Sequence, residues 1–355
     1  MKITSVSYYP IEMQLARPYT IAYEKIEKAS NVVLKIQTDK GLTGWGLAAP
    51  DKVITGETSE SVVENFRSIA EPLLIGKDPF QWVYFMEEIK SLLSGNASTK
   101  AAVDMALLDL LARKARLPLY RVLGGHKHML RTSVTIGIET VQETLDQAGY
   151  YLKKGFNVIK LKGGLNLEED VEKVWKLRER FNNEFILRFD ANQGYTVEEA
   201  IEFVRRTKDA EIEILEQPTK ASQPLLMGEV VKHVDIPVMA DESIKSLKDV
   251  YKLVSNELID MVNIKIQKVG GILESLHINS VSRAAGAEVM VGCLDESALG
   301  ISAGLHFALS RSNIEYADLD GHLDLIDDPF MDLFELKNGI LYPVDYPGLG
   351  KISLA

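Results

Sequence analysis

The 355-residue chain carries 51 acidic and 40 basic residues, a net charge of −11 at pH 7, which argues against nucleic acid or an anionic membrane as a partner. Its single cysteine, Cys293, excludes an internal disulfide framework and a cysteine-built zinc site. The first ten residues contain no apolar secretory signal, and no stretch is long and apolar enough to span a membrane, so we expect a cytoplasmic protein.

The first part of the chain has the pattern of a small α+β domain. Alternation of apolar and polar residues predicts three strands, at residues 2–9, 32–37 and 42–48. Helical spacing of apolar residues predicts three helices, at residues 59–74, 79–93 and 98–116. Strands followed by helices are typical of an α+β unit. Gly124 and Gly125 mark its end, so we place this domain at residues 1–125.

A regular alternation of short apolar runs and charged helical segments follows. The runs predict eight strands, at residues 134–138, 158–161, 185–189, 212–215, 237–240, 261–266, 288–291 and 314–317. Strands that alternate with helices form parallel sheets, and eight repeats indicate a (β/α)8 TIM-type barrel, here at residues 126–320. The helix after the last strand has the weakest pattern. We expect the tail, residues 321–355, to pack back on the first domain.

Ionisable residues stand at the ends of five consecutive predicted strands: Lys162, Asp190, Glu216, Asp241 and Lys265. The intervals between them are 28, 26, 25 and 24 residues, one β/α unit each time. Charged residues at these positions cost folding free energy, because they border a low-dielectric interior. In a barrel these strand ends open onto one mouth, where active sites of this fold lie. The spacing therefore predicts an active site.

Three of these residues, Asp190, Glu216 and Asp241, are predicted metal ligands. Carboxylates brought together on adjacent strands repel one another and take up protons unless a cation joins them. Oxygen ligands without His or Cys favour Mg²⁺ over zinc. A lone acid at a strand end would more often pair with Lys or Arg, but three acids in register favour a metal site.

Three lysines are predicted to surround the metal. Lys160 and Lys162 are two residues apart on one strand and project to the same face, and Lys265 lies across the barrel. A lysine beside Mg²⁺ and another lysine favours its free-amine form and can act as a base. Two lysines on opposite faces of a carbanion stabilised by Mg²⁺ would racemise or epimerise a substrate. One base with a leaving group would give elimination or cycloisomerisation.

The series Lys160-Leu161-Lys162, Asp190, Glu216, Asp241-Glu242-Ser243 and Lys265 resembles the enolase superfamily, in its muconate-lactonising-enzyme subgroup. The resemblance covers nearly the whole chain. It implies an α+β capping domain, a modified barrel, a C-terminal segment that rejoins the cap, and one Mg²⁺ per subunit. It also implies that Lys162 and Lys265 form the acid/base pair and that Lys160 helps to bind the substrate carboxylate. The resemblance is compatible with a homo-oligomer.

Within this subgroup, Asp318-Leu319-Asp320 at the end of the last strand is similar to the pair that binds the α-ammonium group in dipeptide epimerases. Thr135 and Asp295 resemble contacts to the substrate backbone in the same enzymes. The alternative for Asp318 and Asp320 is that both acids merely face solvent. The alternatives for the whole protein are an o-succinylbenzoate synthase or an N-acylamino acid racemase. Neither of these enzymes needs paired acids here. A catalytically silent binding protein would not need two opposed lysines. The favoured function is a dipeptide epimerase.

Two segments, near residues 19–27 and 51–57, resemble the cap loops that close over the site and give specificity in this family. In the first, Glu24 stands where Ala-Glu epimerases carry an Arg for the substrate's Glu side chain. An acid there would repel an acidic side chain by about 1–4 kcal/mol. We therefore expect an apolar, aromatic or cationic C-terminal residue, with Ala-Glu left open if Lys25 or Lys28 reaches inward. We expect Cys293 to be a small buried apolar residue.

Overall fold

The computed structural model describes residues 1–20 and 25–352. The chain begins with an antiparallel sheet in the order β1 (Ile3–Thr20), β2 (Lys25–Thr38) and β3 (Thr43–Ala48). The first two strands are much longer than predicted, because pairing continues from Tyr9 opposite Val33 through Pro10 opposite Val32 and on to Thr20 opposite Lys25. A proline is tolerated here because β1 is an edge strand. The segment predicted as a loop near residues 19–27 is therefore partly strand.

Helices cover one face of this sheet, at α1 (Ser59–Asn65), a π-helical turn (Phe66–Ala70), α2 (Glu71–Leu74), α3 (Trp82–Leu92) and α4 (Ala97–Ala115). The predicted first helix is thus continuous but contains a π-turn. Helix α4 lies directly on β3, where Gly44 and Gly46 leave no room for a side chain. A Cβ atom at Gly46 would lie 1.9 Å from the carbonyl oxygen of Ala102. The close approach explains both glycines. A short helix, α5 (Leu119–Val122), ends this part.

The eight predicted barrel strands are present and parallel, after a short strand β4 (Leu130–Arg131). They are β5 (Val134–Ile136), β6 (Val158–Lys162), β7 (Ile186–Asp190), β8 (Ile212–Glu216), β9 (Val238–Ala240), β10 (Met261–Lys265), β11 (Glu288–Gly292) and β12 (Ile314–Asp318). Each pairs with the next in chain order. The backbone N–H of Ser133, just before β5, donates to the carbonyl of Ala317 on β12 at 3.0 Å. This bond closes the barrel, and the predicted fold is confirmed.

Seven helical connections join the eight strands: α6 (Val141–Lys153), α7 (Leu167–Phe181), α8 (Val197–Arg206), α9 (Pro224–Val231), α10 (Leu247–Ser255), α11 (Ile266–Val269) with α12 (Ile272–Ala284), and α13 (Ala298–Leu309). Thr140 and Thr196 start α6 and α8 as capping boxes with Glu143 and Glu199. In the described tail no α-helix follows β12, so the eighth helix of a standard barrel is missing. No helix in residues 1–20 and 25–352 could cross a membrane.

The tail contacts both halves of the molecule. Strands β13 (Phe334–Lys337) and β14 (Ile340–Pro343) form a sheet with β4 beneath the barrel. Nearer to β12, the N–H of Ala16 donates to the carbonyl of Asp324, and the N–H of Ile326 donates to Gln14. These bonds attach the tail to β1.

The first domain covers the mouth of the barrel. The side chain of Gln267, on α11, donates to the carbonyl of Leu47 and accepts from the N–H of Ala49, both at 3.0 Å. Because Gln267 lies two residues after Lys265, the end of β3 is fixed directly beside a predicted catalytic lysine. The buried carboxylate of Asp104 on α4 accepts from the N–H groups of Ile272 and Leu273 at the start of α12. The cap is thus joined to the barrel close to β10.

Candidate active site

A cavity of about 310 Å³ lies between the cap and the carboxyl ends of the barrel strands. Eight predicted site residues line it: Thr135, Lys160, Lys162, Asp241, Lys265, Asp295, Asp318 and Asp320. Asp190 and Glu216 are buried below it and contact lysines of its floor. Glu24 lies outside the described residues. The strand-end positions therefore converge on one place.

The predicted metal ligands form a buried acidic cluster. Asp190 and Glu216 are register partners on β7 and β8, and Asp241 follows β9. Burial raises the pKa of Glu216 to about 7; Lys160 opposes the rise, and the Asp190 and Asp241 carboxylates add to it. Burial also raises the pKa of Asp241, but Lys265 and Lys268 outweigh it and the net shift is downward. These mutual effects place the three acids within electrostatic reach of one another.

Ammonium groups contact the oxygens of this cluster. Nζ of Lys160 lies 3.0 Å from Oδ2 of Asp190 and 2.7 Å from Oε2 of Glu216. Nζ of Lys265 lies 2.8 Å from Oδ2 of Asp241. Within residues 1–20 and 25–352, no three acidic, His or Cys side chains are arranged as a ready set of metal ligands. The prediction that Asp190, Glu216 and Asp241 bind a metal therefore stays a prediction.

The chemistry of the donor set nevertheless fits a hard divalent cation. The acids supply carboxylate oxygens only, which suits Mg²⁺. Next to them, Oδ1 of Asn192, Oε2 of Glu242 and Oδ1 of Asn263 are buried and lack a hydrogen-bond partner. Buried acceptors without a partner are rare and call for a nearby donor or cation. A hydrated Mg²⁺ would supply the cation and, through its bound water, the hydrogen-bond donor.

Lys162 and Lys265 lie on opposite sides of the barrel. They end β6 and β10, and three strands separate these two in either direction around the closed barrel. Nζ of Lys162 lies 2.9 Å from Oδ2 of Asp190, so each lysine contacts a different acid of the cluster. Burial lowers the pKa of Lys265, but Asp241 outweighs it and the net shift is upward. A free amine at Lys265 therefore requires that its ion pair with Asp241 be weakened.

The two acids of the Asp318-Leu319-Asp320 motif have different surroundings. Asp318 accepts from Nζ of Lys160 at 2.9 Å and from Oγ of Ser133 at 2.6 Å. Burial raises its pKa, but Lys160 reverses the shift and the pKa lies below the usual range. Asp320 accepts from the N–H of Thr135 at 2.6 Å. Burial, followed by the charge of Asp318, raises the pKa of Asp320 to about 7. Of the two acids, Asp320 is thus the one without an ion-pair partner in the described part of the chain.

Lys268 is a site residue that the sequence reasoning missed. It is fully buried on α11, lines the cavity, and its Nζ donates to both Oδ1 and the carbonyl oxygen of Asp241. Asp241 is therefore held by Lys265 on one oxygen and by Lys268 on the other. The signal for Lys268 was its position three residues after Lys265, since this spacing puts two side chains on one face of a helical turn.

The cap side of the cavity is also tightly connected. Arg17 on β1 donates to Asp324 at 2.7 Å and to the hydroxyl of Tyr151 at 2.7 Å, which joins the cap, the tail and α6. The buried carboxylate of Glu57, at the end of the predicted loop 51–57, accepts four hydrogen bonds at the start of α4. Its negative charge suits a helix N-terminus. This second loop is therefore fixed at its C-terminal end.

Cys293, which we expected to be a small buried apolar residue, packs against the core but is only partly buried. Its side chain is half-buried at the cavity wall, 3.8 Å from Oδ1 of Asp320, and its sulfur accepts from the N–H of Gly321. Burial, with Asp320 next, raises the pKa of the thiol. The thiol is therefore a polar neighbour of Asp320.

The fold and the site define a class of proteins, the capped barrels whose basic residues face one another across a carboxylate cluster. Residues 3–124 match the family described as mandelate racemase / muconate lactonizing enzyme, N-terminal domain, and residues 143–351 match the family described as enolase C-terminal domain-like. The chain belongs to the mandelate racemase / muconate lactonizing enzyme family of the enolase superfamily. The predicted resemblance is confirmed.

Similar proteins span nearly the whole chain. An L-Lys-D/L-Arg epimerase from Desulforapulum autotrophicum is 39% identical over 99% of this chain and 99% of its own length. An L-Ala-D/L-Glu epimerase from Bacillus subtilis is 36% identical over 100% of this chain and 98% of its own. The crystal structure of a dipeptide epimerase from Methylococcus capsulatus, complexed with Mg and L-Arg-D-Lys, superposes with a TM-score of 0.95 at 35% identity, covering 99% of both chains.

Proposed function

We propose that the chain is a Mg²⁺-dependent dipeptide epimerase that inverts the Cα of the C-terminal residue of L,L-dipeptides. The observation that carries the proposal is the position of Lys162 and Lys265 on opposite strands of one barrel mouth, with acids between them. Two such groups can remove a proton from one face of a carbon and return it to the other. The names of the two epimerases from Desulforapulum autotrophicum and Bacillus subtilis support the proposal.

The proton transfers take place at two nitrogen atoms. Nζ of one lysine, as free amine, takes the Cα proton, and Nζ of the opposite lysine, as ammonium, gives a proton to the other face. Asp190 and Asp241, at 2.9 and 2.8 Å, orient Lys162 and Lys265. Asp190, Glu216 and Asp241 would hold Mg²⁺, which would supply Lewis-acid stabilisation of the substrate carboxylate.

Asp320 binds the α-ammonium group of the dipeptide. Its carboxylate lines the cavity and has no ion-pair partner within the described residues, whereas Asp318 is paired with Lys160. Asp318 holds Thr135 through a long hydrogen bond of 3.4 Å, and Thr135 in turn donates its N–H to Asp320. A carboxylate without a paired cation favours a free dipeptide, whose ammonium group is charged, over the N-acyl substrates of an N-acylamino acid racemase.

The side chain of the C-terminal residue is apolar, aromatic or cationic. Two cations of the described cavity wall are engaged elsewhere, because Arg17 pairs with Asp324 at 2.7 Å and Lys28 pairs with Glu12 at 2.5 Å. Lys28 lines the cavity, so an Ala-Glu substrate requires it to leave Glu12.

Hydrogen exchange tests the proposal directly. The protein is incubated with Mg²⁺ in D₂O and a library of L,L-dipeptides, and each dipeptide is analysed for the gain of one deuteron and for L,D product. Exchange at the C-terminal Cα is expected. Turnover of succinylated amino acids, without any dipeptide exchange, would assign the chain to the N-acylamino acid racemases or o-succinylbenzoate synthases instead.

Two variants test the lysine pair. Lys162→Ala and Lys265→Ala are each expected to exchange the Cα proton of one epimer and to lose exchange with the other, because each removes the base on one face. Lys176→Ala, an exposed lysine paired with Glu179 on α7, is the matched control. A two-base mechanism is wrong if either active-site variant exchanges both epimers as fast as the control.

We also propose that the enzyme works in a reducing compartment, the cytoplasm. Its single cysteine, Cys293, is a free thiol, and chains without disulfides are typical of reducing compartments.

A further inference from the structure

The cavity wall beside Asp320 carries an acid that the proposed reaction does not use. Glu139 lies in the loop between β5 and α6, is half-buried, and lines the cavity. Among the described residues its carboxylate has neither a hydrogen bond nor an ion pair. Burial raises its pKa, Glu143 adds to the rise, and Lys173 opposes it, with a net upward shift. A partly desolvated carboxylate without a partner favours a cation beside it.

No cation within the described residues forms an ion pair with Glu139, and the buried Lys173 of α7 acts on it only through its charge. Arg17 is bound to Asp324 and to the hydroxyl of Tyr151. Lys28 is bound to Glu12. Asp51, the acid on the opposite loop, is occupied as a turn cap, since its Oδ1 accepts from two backbone N–H groups at 2.7 Å. Among the described residues of the outer cavity, Glu139 is therefore an acid whose charge is left for a ligand.

The position of Glu139 in the cavity determines which part of a bound dipeptide lies next to it. The N–H of Thr135 donates to Asp320 at 2.6 Å, and Glu139 follows Thr135 by four residues, in the loop after the same strand. Gln147 and Tyr151, one helical turn apart on α6, continue the wall outward. A side chain on the residue whose ammonium group binds Asp320 therefore extends along this wall.

We infer that the N-terminal residue of the substrate has a long cationic side chain, lysyl or arginyl, whose charged end pairs with Glu139. This inference rests on the proposed dipeptide epimerase function and adds the chemistry of the N-terminal position to it. An acidic side chain there would be repelled by the like charge of Glu139. An apolar side chain would remove water from Glu139 without replacing it by a hydrogen bond, which costs free energy.

A pair of nearly isosteric dipeptides tests the inference. L-Lys-L-Ala and L-Met-L-Ala have N-terminal side chains of similar length, and only the first is charged. The kcat/KM of the wild-type protein should favour L-Lys-L-Ala by about tenfold, as for a partly desolvated hydrogen bond to a charged group. Glu139→Gln should abolish this preference by lowering kcat/KM for L-Lys-L-Ala alone, and Glu139→Asp should keep part of it. Glu143→Gln, which removes an acid outside the cavity, is the matched control and should keep the full preference.

The outcomes separate the inference from the function on which it rests. Turnover of both dipeptides at similar kcat/KM, or a preference that Glu139→Gln leaves unchanged, would overturn the cationic N-terminal residue while the epimerase function stands. Absence of exchange with every dipeptide would overturn both. A preference that disappears in Glu139→Gln, with L-Met-L-Ala turnover retained, would support the inference.

Discussion

Replacement of Asp320 by Asn tests the proposed ammonium site through its pH dependence. At pH 8 the wild-type carboxylate is ionised, because burial and Asp318 raise its pKa only to about 7. A charged hydrogen bond between this carboxylate and a substrate ammonium contributes about 2 kcal/mol, or about 30-fold in kcat/KM. Asp320→Asn should therefore lower kcat/KM for free dipeptides about 30-fold at pH 8.

The effect should vanish as the pH falls. Below pH 7 the wild-type Asp320 becomes protonated and resembles Asn, while the dipeptide amine, with a pKa of about 8, stays charged. The assay is the ratio of wild-type to variant kcat/KM between pH 5.5 and 8, measured by deuterium exchange of one dipeptide. Titration of Lys162 and Lys265 affects both proteins and cancels in this ratio. The ratio should fall from about 30 toward one.

Controls and an independent check accompany this assay. Asp327→Asn changes an exposed acid in the same acidic stretch and should match the wild type at every pH. Asp320 has a pKa that is higher in the folded than in the unfolded protein, so its ionisation costs stability as pH rises from about 4 to 7. Asp320→Asn should therefore raise Tm at pH 8 and leave it unchanged at pH 4. A ratio near one at pH 8, or one that does not change with pH, would refute the ammonium site at Asp320.

Three further substitutions test the packing of the site. Lys160→Met leaves the carboxylates of Asp190, Glu216 and Asp318 without their shared ammonium group, so urea unfolding at pH 8 should show a free energy of unfolding lower by about 3–5 kcal/mol. A decrease below about 1 kcal/mol would contradict the role of Lys160 as a shared cation. Gly46→Ala introduces a Cβ atom against the Ala102 carbonyl, so Tm should fall by the equivalent of about 1–3 kcal/mol, whereas an unchanged Tm would mean that α4 can move away. Glu57→Gln weakens four hydrogen bonds at the start of α4, so the loop 51–57 should be cleaved faster by protease than in the wild type, and equal rates would contradict its anchoring.

The barrel could be predicted because its strands are buried on both sides. Runs such as Met261–Lys265 and Glu288–Gly292 are apolar and β-branched with little alternation, which is typical of parallel strands covered by helices. The ends of five consecutive barrel strands carry ionisable residues, which are costly exceptions to the apolar pattern. The regular interval between these ionisable residues therefore located both the strands and the mouth of the barrel.

Local patterns could not predict elements that depend on distant parts of the chain. Strand β1 continues to Thr20 because β2 and the tail offer hydrogen-bond partners, and residues 324–326 lie more than 300 positions away. The missing eighth helix has the same cause, since the chain after β12 is used to attach the tail to β1. Sequence patterns report the preferences of a segment, and these elements are decided by the partners available to them.

The Asp318-Leu319-Asp320 motif shows the same difference between what a local pattern predicts and what distant contacts decide. Asp318 and Asp320 are two residues apart and identical in chemistry, so the sequence treats them as an equivalent pair that binds one ammonium group. The structure makes them unequal, because Lys160 from β6 and Ser133 before β5 reach Asp318 but not Asp320. Their pKa values move in opposite directions as a result. Asp318 pairs with Lys160 in the charged floor of the site, and of these two acids Asp320 is the one whose charge is left for the substrate, a division of roles that depends on contacts from other strands.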